Sequence, residues 1–373
     1  MIPIAKPYMN AEEAQRAYDT ILSGWITQGP MVKAFEDKFA AYTGAVHAVA
    51  VSNCTTALHL AMIVAGIGEG DEVICPSMSY IATANSIKYV NAIPVFAEVN
   101  EHYNLDVEDV KKRITPKTKA ILLVHQIGMP ADIDAFKDLC KEKNLLLIED
   151  AACGIGSAYK GAKIGSHSDL VCFSFHPRKI VTTGDGGMIT TNNAAFAERL
   201  RLLRQHGMSV NDRERHLSKK IVFEEHVEVG YNYRMTDIQA SVGIAQMDKL
   251  DEIIGGRRAI ADIYLKELKD IAGIRLPHEA DGYFTNWQSF SIYIKPECKV
   301  SRNELMELLL EDGISSRRGI MTSHREKAYE YMSPVSLPVS EDLCDRSIII
   351  PLYYPMEQSD VYKVIEAIKK FVG

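Results

Sequence analysis

The chain lacks most of what an extracellular, membrane or nucleic-acid-binding protein would carry. Its seven cysteines, at positions 54, 75, 140, 153, 172, 298 and 344, are odd in number, scattered, and include no CxxC pair. They read as reduced core thiols rather than a disulfide frame or a zinc site, so no metal is expected. No apolar run approaches membrane length, and the longest, such as Leu145–Ile148, are strand-sized. The opening MIPIAKPYMNAEE has no apolar stretch of signal-peptide length. A formal charge of −7 is spread along the chain without a basic block, which argues against nucleic acid as a partner. Internal repeats and low-complexity tracts are missing. So is a GxGxxG turn between strand and helix: Gly66, Gly68 and Gly70 follow a helical pattern and precede a strand, a poor fit to nicotinamide dinucleotide binding. These absences predict a cytoplasmic globular protein acting on small molecules, without membrane or nucleic-acid contact.

What is present is a rhythm. Short β-rich runs occur at 47–51 (HAVAV), 72–75 (EVIC), 93–96 (IPVF), 120–124 (AILLV), 145–150 (LLLIED), 170–175 (LVCFSF) and 187–191 (GMITT). Most are apolar throughout, as in strands covered on both faces of a parallel sheet. Helical patterns fill several gaps, at 55–66, 82–90 and 132–144, so the spacing predicts a doubly wound α/β sheet with ligands at the carboxyl ends of its strands. After about residue 247 the character changes. A long helix with a possible kink at Gly255–Gly256 is followed by a strand at 289–296, a helix at 301–313, a strand at 347–354 and a last helix from about Ser359. The expected organisation is a large α/β domain over 1–246 and a smaller α+β domain over 247–373.

Three polar features sit at predicted strand ends. SNCTTALHL (52–60) opens a helix, where free N–H groups and the Thr55 and Thr56 hydroxyls suit a phosphate; a plain N-cap explains the same residues. Asp150 ends the most apolar strand, a costly place for a carboxylate unless it meets a cation or strong donor; it also reads as a strand-end cap for the next helix. In CFSFHPRKIVTTGDGG (172–187), Lys179 stands just past a buried strand, with Ser174 and His176 nearby and a glycine-rich turn behind it; a solvated lysine in a hairpin turn is the alternative. Together the three fit one cofactor. Pyridoxal phosphate needs a lysine amine, a carboxylate at its pyridine nitrogen and an anion site. Tyr80, just past EVIC, is a candidate to stack on the ring.

At these residues the chain resembles the sugar-nucleotide aminotransferases of the DegT/StrS type, fold type I pyridoxal phosphate enzymes. The resemblance runs through SGWITQGPMVKAFEDKFAAYTG (23–44), SNCTTALHLA (52–61), VHQIGMPADIDA (124–135), IEDAA (148–152), SFHPRKIVTTGDGG (174–187) and GYNYRMTDIQA (230–240). It implies an aspartate-aminotransferase-like fold with a mostly parallel seven-stranded sheet. It implies that Lys179 is the Schiff-base lysine and Asp150 the partner of the pyridine nitrogen. Cys54, Thr55, Thr56 and Ser174 would hold the phosphate, Tyr80 would stack, and Asn232 would reach the phosphate of a neighbouring subunit in a homodimer with shared sites. Two positions depart from the family pattern. Cys153 stands where Gln or His is frequent near the cofactor's phenolic oxygen, and Cys54 stands where glycine is frequent. Relatives in which histidine replaces the lysine are dehydratases, a branch that Lys179 argues against.

The implied chemistry moves an amino group from an amino acid, expected to be L-glutamate, to a nucleotide-linked keto-deoxysugar, with pyridoxamine phosphate between the two halves. Desolvation and a cationic ring are expected to lower the Lys179 pKa toward working pH. Candidate substrate contacts are Trp25, Thr27, Gln28, Arg234 and His324; each has a plainer reading, among them core packing for Trp25, an interface salt bridge for Arg234 and a hydrogen-bonded loop residue for His324. A cyclitol ketone or a free or phosphorylated keto sugar would suit the same chemistry. A cofactor-binding regulator would lack the lysine or carry an added DNA-binding module.

Overall fold

The computed structural model describes residues 1–209, 221, 223–332 and 334–373. Its first nine strands are β1 (His47–Val51), β2 (Glu72–Pro76), β3 (Ile93–Ala97), β4 (Thr118–Val124), β5 (Leu146–Asp150), β6 (Ala158–Tyr159), β7 (Ala162–Lys163), β8 (Leu170–Ser174) and β9 (Gly187–Thr191). All seven apolar runs of the sequence join one sheet, in the order β1-β9-β8-β5-β4-β2-β3. Its neighbours pair in parallel except at β9, which runs antiparallel to both β1 and β8.

The unbroken apolar runs follow from cover on both faces. Alternate residues of each strand enter different cores. Leu147, Val171 and Phe173 pack on one side with Phe35, Phe39 and Phe136 from the helices Pro30–Thr43 and Ile133–Lys143. Ile148, Leu170 and Cys172 pack on the other with Leu58, Leu60 and Ile87 from the helices Cys54–Val64 and Ala82–Tyr89. The helix Pro30–Thr43 begins Gly-Pro and has no side-chain cap of its own. Asp237, from a distant helix start, supplies it by accepting from the N–H groups of Gly29 (2.7 Å), Met31 (3.1 Å) and Val32 (2.9 Å). That cap fixes the stretch carrying Trp25, Thr27 and Gln28.

The later strands are β10 (Ile274–Arg275), β11 (Tyr283–Phe284), β12 (Phe290–Ile294), β13 (Arg317–Arg318) and β14 (Ser347–Ile350). Four of them form a second sheet, β10-β12-β14-β13, over a core shared with the helices Leu250–Leu268, Arg302–Glu311 and Gln358–Val372. β11 instead pairs with β6 beside the large sheet.

Two details differ from the sequence expectation. The long helix runs through Gly255–Gly256, and the break falls at Lys249. Gly256 answers a packing need, since a Cβ there would lie 2.0 Å from the Tyr354 ring. The N-terminal Ile2, expected with the large domain, joins the small core and bonds to Gly313. Apolar contact with the small sheet outweighs sequence position.

Candidate active site

Alternation along β5 decides what its two acids meet. Asp150 is 5% exposed and takes the face of helices Cys54–Val64 and Ala82–Tyr89. Its carboxylate accepts from Thr83 Oγ1 (2.8 Å) and from the Ala152 N–H (3.1 Å). The single Thr83 hydroxyl proton is committed to Asp150, so Ser79 Oγ, 2.7 Å from Thr83 Oγ1, donates to it. Burial pushes the Asp150 carboxyl above the usual range; Thr83, the Ala152 N–H, Lys179 and His125 partly offset this. Glu149 turns to the opposite face, fully buried against His125 Nε2 at 2.6 Å. His125 Nδ1 accepts from the Ala131 N–H (3.1 Å), so its proton sits on Nε2, toward Glu149. Burial alone would raise Glu149; the hydrogen bond from His125 Nε2 holds it below the ordinary glutamate value.

Lys179 lies on the loop between β8 and β9, and its Nζ donates to Cys153 Sγ at 3.2 Å. Burial works to lower its pKa, but Cys153, Cys54 and Asp150 outweigh burial and the net direction is upward, against the sequence expectation. The Cys54 thiol is itself pushed well above its usual value by burial and by Asp150, so it is neutral at physiological pH. Cys153, through its contact and charge, is the largest upward influence on Lys179, with smaller ones from Cys54 and Asp150.

The glycine-rich turn works in two ways. Gly184 takes φ +82°, where a side chain would be strained. Gly187 is needed for closeness, because a Cβ there would lie 2.5 Å from the Asn53 carbonyl. Gly187 also pairs in register with Ser174. Ser174 and the first turn of helix Cys54–Val64 are thereby brought to one corner. In that turn Asn53 and Thr56 cap each other, which engages the Thr56 N–H and hydroxyl. Among the described residues nothing accepts from the N–H of Cys54 or Thr55. The donors left open at this helix start are therefore the N–H groups of Cys54 and Thr55.

Tyr80 shares a turn with Thr83, its carbonyl accepting from the Thr83 N–H at 3.0 Å, and its ring is 68% exposed. The C-terminal part of the chain braces this turn. Met78 bridges to Thr322, the Ser323 N–H donates to the Ser77 carbonyl (2.7 Å), and His324 joins Ser77 Oγ through Nδ1 and Glu341 Oε1 (3.1 Å) through Nε2. Both ring nitrogens of His324 are thus engaged within the protein. The Thr27 carbonyl accepts from the Asp237 N–H (2.8 Å), Gln28 Nε2 donates to Gln205 (3.3 Å), and the Trp25 ring lies over Gly29. Asn232 is exposed, and its Oδ1 accepts from Arg234 Nε at 3.1 Å. The bonds of Thr27, Gln28 and Asn232 are thus made to Asp237, Gln205 and Arg234.

Four positioning residues escaped the sequence reading. Thr83 and Ser79 were hidden in SMSYIAT, where a serine and a threonine four apart after a buried strand are their only signal. Asn286 and Gln288 come from the small domain. Asn286 Nδ2 donates to the Cys153 and Ile155 carbonyls (2.7 Å each), and Gln288 Nε2 to the Arg178 carbonyl (2.6 Å). They hold the backbone on both sides of the Lys179–Cys153 contact.

A doubly wound sheet with a buried acid at one strand end, an amine beside it and a helix start with free donors marks the class of pyridoxal phosphate-dependent transaminases. The chain belongs to the DegT/DnrJ/EryC1/StrS aminotransferase family, whose model matches residues 7–369. It is 37% identical to a GDP-perosamine synthase from Vibrio cholerae, over 100% of this chain and 99% of that one. Among solved structures it is similar to DesV of S. venezuelae, determined with a ketimine intermediate (34% identity, TM-score 0.91, 99% and 98% of the two chains). It is also similar to the aminotransferase TlmJ of Streptoalloteichus hindustanus (31% identity, TM-score 0.92, 99% and 98%). The residues present fit the cofactor: two orphan N–H donors for a phosphate at the Cys54 turn, a cradle there that a Gly187 Cβ would fill, and a buried acid and an amine on one face of the sheet. No helix among the described residues is long and apolar enough to cross a membrane.

Proposed function

We propose that this aminotransferase moves an amino group from an amino acid, L-glutamate, to a nucleotide-linked keto-deoxysugar, giving an amino sugar. The observation that carries the proposal is the convergence of Asp150, Lys179 and the open helix start on one face of the sheet. Asp150 would hold the proton on the ring nitrogen, and Thr83 would keep the carboxylate aimed and ionised. The N–H groups of Cys54 and Thr55, with the Ser174 hydroxyl, would hold the phosphate; Tyr80 would cover one ring face, and Cys153 would stand toward the phenolic edge. When bound, pyridoxal phosphate supplies the electron sink for the pair left on a deprotonated carbon. Lys179 Nζ takes the proton from the α-carbon of the amino donor and, in the second half, returns one to the carbon that keeps the new amine. An arginine could not alternate in this way, since it stays protonated.

A nucleotide-linked acceptor is supported by charge as well as by the Vibrio cholerae relative. Arg178, next to Lys179, acts on Arg317 of β13 together with Arg318 and Tyr80, so cations gather beside the proposed stacking ring. Such a cluster suits a diphosphate. A homodimer with shared sites is the second part of the proposal. Asn232 is exposed, and the nearby Val229 and Phe223 are 89% and 86% exposed, as a face awaiting a second copy would be. The test is product analysis with glutamate and a panel of nucleotide-linked, phosphorylated and free keto sugars and cyclitol ketones. Lys179→Ala should abolish turnover while circular dichroism and Tm stay near wild type. Transamination by that variant would remove Lys179 from the mechanism.

A further inference from the structure

A second cluster of metal-ligating side chains lies apart from the Asp150–Lys179 site. We propose that Glu101, His102 and His278 form a binding site for a divalent transition metal, zinc by ligand preference, that staples the edge of the large sheet to the small domain.

Glu101 and His102 stand on the turn after β3; His278 stands between β10 and β11, in the other half of the chain. One ligand atom from each of the three lies within 4.8 Å of the other two. The two imidazole rings are 4.5 Å apart, centre to centre, with planes at 57°. Tetrahedral zinc with bonds of 2.0–2.2 Å sets its ligand atoms about 3.3 Å apart. Closing the gap therefore takes movements of about 1.5 Å or less, within reach of side-chain rotation at the exposed Glu101 and His278. The turn itself is held. The His102 N–H donates to Asn100 Oδ1 (3.0 Å), and the Tyr103 hydroxyl meets Ser291 and Ser347 of the small sheet.

Two imidazoles and one carboxylate are a zinc-type donor set that leaves a fourth position open. The three residues line a cavity of about 30 Å³ with Trp287, whose indole N–H is buried and has no acceptor among the described residues. Arg275 also lines the cavity and works against a cation, but its guanidinium lies over the Tyr293 ring at 4.5 Å, and Glu101 offsets its charge. The site was invisible in the sequence because its histidines are far apart and no short motif joins them.

The test uses the full-length, pyridoxal phosphate-loaded enzyme, treated with chelator, dialysed and titrated with zinc chloride, then with cobalt chloride. Wild type is compared with Glu101→Gln and with the double variant His102→Ala/His278→Ala; unchanged cofactor absorbance reports that each variant is folded. The expected result is one zinc per chain, affinity at least about tenfold weaker in the double variant, a zinc-dependent rise in Tm in wild type alone, and a cobalt spectrum without a thiolate charge-transfer band. Equal zinc uptake by the double variant, or a thiolate band pointing to the cysteines, would overturn the proposal.

Discussion

Replacing Thr83 by valine keeps shape and volume and removes one hydroxyl. That hydroxyl makes one of two hydrogen bonds to the buried Asp150 carboxylate. Hydrogen bonds to charged groups contribute about 1.5–3 kcal/mol. Lost from the ionised form alone, this raises the Asp150 pKa by about one to two units. Its direction is already upward through burial. An acid whose folded pKa exceeds its unfolded value binds more protons when folded, so stability falls as pH rises from the unfolded toward the folded pKa. Thr83→Val widens that window and costs stability at neutral pH. In the proposed chemistry, where Asp150 must be ionised to hold the ring nitrogen's proton, it also moves the acid limb of the kcat–pH profile upward. At the old acid limb kcat should fall about tenfold to a hundredfold, since 1.36 kcal/mol is tenfold in rate. The assay is kcat against pH, with the cofactor's absorbance followed over the same range. Thr83→Ser keeps the hydroxyl and should restore both. A valine variant with the wild-type acid limb would refute the argument that Thr83 acts through Asp150.

Three further outcomes rest on geometry. Gly187→Ala forces a methyl group to 2.5 Å from the Asn53 carbonyl, a backbone contact that cannot rotate away; cofactor affinity and Tm should both drop, by about 1–3 kcal/mol in stability, as read by denaturant melts with and without pyridoxal phosphate. Asn286→Ala leaves the Cys153 and Ile155 carbonyls without their donor and should cost about 2–4 kcal/mol, with a shifted cofactor absorbance that a purely peripheral role would not give. Glu149 has a depressed pKa, so its contribution is present above the ordinary glutamate value and fades as pH falls through the folded value. Glu149→Gln should therefore flatten the acid side of a Tm–pH profile; an unchanged slope would show that the His125–Glu149 pair is energetically silent.

The strands and the chemical corner were legible because they rest on local patterns. Continuous apolar runs announce strands covered on both sides, and all seven became one sheet. An aspartate closing such a run, or a lysine just past one, is conspicuous for the same reason. What stayed hidden depends on contacts between distant segments. Thr83 looks like any helix-start threonine until β5 brings Asp150 beside it. That the Thr56 N–H and hydroxyl close a cap with Asn53 was equally out of sight. The partners of His324, Ser77 and Glu341, come from distant segments as well. The upward direction at Lys179 could not be read either, since it depends on which neighbours stand within reach.

β9 is the one strand of the large sheet that runs against its neighbours. The segment bearing Lys179 therefore rises from Ser174 and comes down at Gly187, two positions directly opposite each other on adjoining strands. It is an arch with both feet about 5 Å apart on rigid ground. Elsewhere in the molecule an added residue can be absorbed by a longer crossover. Here it would lift the keystone from its seat, so variation in this enzyme's arch is expected to come through exchange of side chains and seldom through change of length.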